Sequence, residues 1–133
     1  MESGVVLDLQ GQPIYWHLPA GRTAGSLPET PALWEFVWEN RQRVSGIAHS
    51  HPGFGVPGPS FTDVTTFAAF EAALGRPLDW WITTTDRVAL FRWEGESWAT
   101  RWNGPERLSY RQQALPGVDP PWVVELRRAS GQM

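Results

Sequence analysis

The chain has no cysteine among its 133 residues, which removes disulfides, thiolate metal ligands and cysteine nucleophiles from consideration together. It has no lysine either: all 11 basic residues are arginine. Against 14 acids they leave a formal net charge of -3 and a pI near 5.5. That balance lacks the basic face with which proteins attract nucleic acid, and no nucleic-acid partner is expected. No apolar run approaches the ~20 residues of a membrane-spanning helix. The opening Met1-Glu2-Ser3-Gly4 has no basic segment leading into an apolar one, as a secretory signal would. A soluble cytoplasmic protein without a membrane partner is the expectation. At this length one domain, residues 1–133, is expected, large enough to bury about two thirds of its unfolded surface.

What the chain does have is a run of chemically capable residues, GIAHSHPGFGVPGPSFTD, from Gly46 to Asp63. Val44 to His51 reads as a strand, and residues two apart on a strand face the same way, so His49 and His51 present their imidazoles side by side. Pro52 ends the strand. A Pro- and Gly-rich loop then leads to Ser60, three residues ahead of Asp63, the spacing of a helix start with serine as N-cap. That geometry can bring Asp63 back to the two histidines. Two imidazoles and a carboxylate with a corner left for water form the ligand set of a catalytic zinc site. One Zn2+ per chain, on His49, His51 and Asp63, is the expectation. The third histidine, His17, reads as a packed side chain; as a ligand it would have to replace Asp63.

The residues His49-Ser50-His51-Pro52, then Pro59, Ser60 and Asp63, resemble the JAMM motif of the JAB/MPN-plus zinc metallopeptidases, over roughly Gly4 to Trp93. The loop between His51 and Ser60 holds eight residues, one more than the family usually has, and Gly53, Gly55 and Gly58 are placed to absorb the bulge. The resemblance implies hydrolysis of the bond after the C-terminal Gly-Gly of a ubiquitin-like protein or its conjugate, gripped by strand addition in a narrow groove. It also implies a glutamate general base from a strand near the N-terminus and the motif serine as oxyanion stabiliser. Ser60 matches that serine. Glu2 is the candidate base, although Glu2-Ser3-Gly4 is one residue shorter than the family's Glu-x-x-Gly; Glu35 and Glu39 are its rivals. Phe54 and Phe61 are candidates to line the groove, with packing inside the core as the alternative for Phe61. Two other readings stay open: a catalytically silent MPN-type scaffold that binds a partner protein, and a zinc hydrolase acting on a small amide.

The rest of the chain alternates strand and helix patterns. Gly4–Leu9 and Pro13–Leu18 read as a hairpin. Pro31–Gln42, capped by Thr30 with proline at its first position, reads as a helix that buries Leu33, Trp34, Phe36 and Val37 and exposes Glu35, Glu39 and Gln42. A second helix runs from Asp63 to a stop at Gly75. Strands follow at 78–84, 88–93 and 97–102, where the tryptophans cluster. Residues 105–113 read as a short helix, and Trp122–Arg127 as a last strand or docked segment. This order argues for an α/β layered domain. The resemblance implies a single three-layer, cytidine-deaminase-like JAB/MPN fold with a mixed central sheet, a motif-bearing core at about 4–103 and a C-terminal extension at 104–133.

Overall fold

The computed structural model describes residues 1–55, 57–95, 98–101, 104–107 and 110–133. Its main body is a six-stranded mixed sheet in the order β2-β1-β3-β4-β5-β8, built from β1 (Gly4–Asp8), β2 (Pro13–His17), β3 (Val44–Ser50), β4 (Asp79–Thr83), β5 (Val88–Trp93) and β8 (Tyr110–Gln113). Strands β6 (Trp98–Arg101) and β7 (Gly104–Arg107) pair separately as a hairpin. The helices are α1 (Pro31–Glu39), α2 (Phe61–Leu74) and α3 (Trp122–Ala129). Among the described residues no helix is long and apolar enough to cross a membrane.

The period of two along the strands sorts the core. Val6, Ile47, Trp80, Ile82 and Phe91 turn to one face, where they pack with Leu33 and Val37 of α1 and Phe67 and Phe70 of α2. Val5, Leu7 and Ala48 turn to the other face and pack on Trp122, Val123 and Leu126 of α3. Aromatic stacking tightens the first layer: Trp34 lies 3.7 Å from Phe70, and Phe67 lies 4.2 Å from Trp80, centroid to centroid. Helices therefore cover both faces.

Among the described residues only β3 and β4 run parallel, and α2 is the crossover between them, as a parallel pair requires. The two strands approach closely at Gly46, where an added Cβ would sit 1.9 Å from the carbonyl oxygen of Asp79. Any larger residue would push the strand that carries the histidines away from its neighbour.

Two expectations fail in the C-terminal third. The helix expected over 105–113 is not found: residues 105–107 belong to β7 and 110–113 form β8, which extends the main sheet by pairing Tyr110 with Trp93 and Gln113 with Leu90, while Leu108 and Ser109 lie outside the described residues. Trp122–Arg127 is not a strand but most of α3. Its buried residues Trp122, Val123 and Leu126 repeat at three and four, and α3 follows Pro120-Pro121, which is a helix-start signal in its own right. The strand expected over 97–102 is found at Trp98–Arg101; Ser97 and Trp102 lie outside the described residues.

Candidate metal centre

The register of the sheet decides which side chains share the site. Gly4 of β1 pairs with His49 of β3, so Glu2, two residues before Gly4, faces the same way as His49. Ser3 and Ser50 face the opposite layer. His51 lies one residue past the end of β3, with its N–H donating to the Thr83 carbonyl at 2.8 Å, and it continues the His49 face.

Asp63 arrives from α2. Ser60 is the N-cap of that helix, and its hydroxyl accepts from the Asp63 N–H at 3.0 Å while the Asp63 carboxylate accepts from the Ser60 N–H at 2.9 Å. This reciprocal capping box aims the carboxylate at the histidines. Asp63 Oδ2 lies 2.9 Å from His51 Nε2, and Oδ1 lies 3.2 Å from His49 Nε2. The two Nε2 atoms are 2.9 Å apart. Donors bound at ~2.0–2.1 Å to a tetrahedral ion stand about 3.3 Å from one another, so the cluster has the dimensions such an ion demands.

Glu2 is the fourth member. Its carboxylate and the two ring nitrogens all lie within 4.8 Å of one another, and Glu2, His49 and His51 make a set that can hold a metal ion. Glu2 is buried at 8% exposure. Burial raises the pKa of its carboxyl above the ordinary value, and the nearby His49 and His51 only partly offset that. Asp63 moves the other way: burial alone would raise its pKa, but hydrogen bonds from the His49 and His51 rings hold it far below the usual carboxylate range. Two carboxylates 61 residues apart in the chain thus differ in basicity. Glu35 and Glu39 are exposed on α1.

His17 is not in the cluster. It is buried, and its Nε2 donates to the Pro28 carbonyl at 2.7 Å. Burial lowers its pKa, the state of a neutral ring that pins the loop from Pro19 to Thr30. That loop walls a cavity of about 810 Å³ that opens on Glu2, His49, His51 and Asp63 and has Leu33, Ile47, Phe67, Phe70 and Trp80 at its floor. Phe61 does not pack in the core: it is 88% exposed, and Phe54 is 79% exposed.

In the loop after His51, Gly53 (φ 88°) and Gly55 (φ 96°) take the left-handed conformation and Gly58 does not. The loop is tied to the turn between β4 and β5. Gly53 O accepts from the Thr85 N–H at 2.9 Å, Gly55 O from the Thr84 hydroxyl at 2.7 Å, and the Gly55 N–H donates to Asp86 at 2.8 Å.

Behind the strand, the turn after α3 was invisible to motif reading. The Ser130 and Ser50 hydroxyls are hydrogen-bonded at 2.7 Å, Ser50 Oγ accepts from the Ser3 N–H at 2.9 Å, and Gln132 Nε2 donates to the His51 carbonyl at 2.7 Å. Compared with models of protein families and with curated proteins, the sequence matches none.

Proposed function

We propose that this chain is a zinc-dependent metallopeptidase of the JAMM type, with the JAB/MPN fold, in which His49, His51 and Asp63 hold one zinc ion. The observation that carries the proposal is the convergence of two Nε2 atoms and one carboxylate within 3.2 Å of one another, from a strand end and a capped helix start. Bound there, zinc supplies Lewis acidity and acidifies water enough to make a nucleophile near neutral pH.

The remaining work falls to the protein. Glu2, buried and made more basic by that burial, accepts a proton from water and returns it to the leaving amine. Ser60 keeps its hydroxyl proton free, because its oxygen acts only as the acceptor of the helix cap, and it donates to the oxygen on which charge develops. Asp63, held ionised, would supply the third ligand. The substrate class comes from the motif resemblance: an amide bond following the Gly-Gly tail of a ubiquitin-like protein.

Zinc analysis tests the assignment. The protein is expected to hold one zinc per chain, and His49→Ala or His51→Ala to hold almost none; equal zinc in all three rejects the ligand set. Glu2→Gln is expected to keep its zinc and lose roughly 10²–10⁴-fold in cleavage of a Gly-Gly fusion. Equal turnover would remove Glu2 as the base. A second reading, hydrolysis of a small amide, is favoured by the roomy cavity, whose volume falls in the roughly 300–1,000 Å³ range of small-molecule sites. Chelator-sensitive cleavage of small anilides, with protein fusions untouched, would select it. Zinc binding without turnover of either substrate would instead leave a partner-binding scaffold.

A further inference from the structure

His49 is the penultimate residue of β3 and His51 lies one past its end, where backbone bonds from Ser50 to Ser3 and from His51 to Thr83 carry the pairing on. On the face away from the cavity the turn Ser130–Gln132 adds a second support. It reaches two separate segments, the N-terminus and the end of β3. The Met1 amino group donates to Ser130 O at 2.9 Å, Ser130 meets Ser50 between the two ligand histidines, and Gln132 holds the backbone of His51. Arg22 adds a tie by donating to both Ser3 Oγ and the Ala129 carbonyl.

The bonding pattern at each node has one solution. The Ser130 hydroxyl donates its one proton to the Leu126 carbonyl at 2.7 Å, so Ser50 donates its own to Ser130 Oγ while its oxygen accepts from the Ser3 N–H. Ser3 adjoins Glu2, so this oxygen, together with the backbone bond from the Ser50 N–H to the Ser3 carbonyl at 3.0 Å, fixes the spacing between the segment that carries the glutamate and the strand that carries the histidines. At His51 both backbone groups are held, the N–H by Thr83 O and the carbonyl by Gln132 Nε2. The Gln132 amide cannot be turned over, because its oxygen would then face the carbonyl oxygen of His51. Its Oε1 is left buried without a partner among the described residues, a cost accepted in exchange for the His51 contact.

We infer that Gln132 and Ser130 are positioning residues of the metal centre: through Ser50 and the His51 backbone they set the separation of His49, His51 and Glu2. The inference rests on the proposed metal centre. Metal sites are commonly tuned this way, and removing an outer support costs about 10- to 100-fold in affinity.

The test uses the full chain and two variants. Gln132→Met keeps the length of the side chain and deletes the donor; Ser130→Ala deletes the hydroxyl, with Ser130→Thr as the conservative control. Zinc affinity is measured by competition with a chromogenic chelator, and the ligand field by the visible spectrum of the cobalt(II)-substituted protein. Both are read well below the unfolding midpoint, where far-ultraviolet circular dichroism confirms folding. The expected result is a loss of about tenfold or more in zinc affinity and an altered cobalt spectrum for Gln132→Met and Ser130→Ala, with Ser130→Thr close to wild type. Wild-type affinity and spectrum in both folded variants overturn the positioning role while the metal centre stands. A wild-type protein that binds neither ion overturns the metal centre, and this inference with it.

Discussion

His17 and His49 flank Gly4 on one row of the sheet, each paired with it from opposite sides, yet they are chemically opposite. His49 faces carboxylates; His17 is buried against a backbone carbonyl that can only accept. Burial lowers the pKa of His17 below its ordinary 6.5, so the folded state binds its proton less readily than the unfolded state does. Its contribution to stability is therefore complete above about pH 6.5 and is lost as the pH falls from there through the lower folded value. The gap in unfolding temperature between the wild type and His17→Gln should accordingly shrink between pH 7.5 and pH 5; a gap that stays constant would sink this account. At this scale the sequence was most legible where chemistry depends on short spacing. The two histidines two apart and the serine three before Asp63 could be read from local rules. The side on which Glu2 falls could not be read, because it is fixed by the pairing of Gly4 with a residue 45 positions away.

The start of α2 shows how one element serves both fold and site. Ser60 caps the helix and, through the same capping box, aims Asp63. Ser60→Ala is expected to cost about 1 kcal/mol of stability, whereas Ser60→Gly should cost only a few tenths, since glycine tolerates the cap position. Neither has a hydroxyl. If Ser60 stabilises the oxyanion, both variants lose turnover alike although their stabilities differ; turnover that simply follows stability in denaturant titrations would assign the serine to capping alone. Elements near the motif were predicted closely because caps, prolines and alternation agree there: β5 was expected at 88–93 and is found at Val88–Trp93. The C-terminal third was misread for a physical reason. A four-residue strand such as β8 has too few positions for a period to emerge, and it is held by the edge of β5 rather than by its own pattern. The helix signal in α3 was present, in the Pro120-Pro121 start and the spacing of Trp122, Val123 and Leu126, but a short apolar run favours strand and helix about equally.

At the scale of the whole molecule, the proposed metal centre joins parts of the chain that are far apart in sequence: the segment before β1, the end of β3 and the first turn of α2. An ion that binds this arrangement and not the unfolded chain must stabilise it by mass action, by about 2.7 kcal/mol at a free zinc concentration a hundredfold above Kd. For a chain of this size that is on the order of a 10 °C rise in unfolding temperature. Scanning calorimetry should show this rise on adding zinc and its reversal by chelator, and no rise in His49→Ala. An equal rise in the variant would place the zinc elsewhere.

The loop that follows His51 hangs from Thr84, Thr85 and Asp86, none of which belongs to the motif. The loop between His51 and Ser60 is thus anchored on a reverse turn one strand downstream. Lengthening or shortening that turn would move the anchorage of the loop while leaving His49, Asp63 and Glu2 on their own elements.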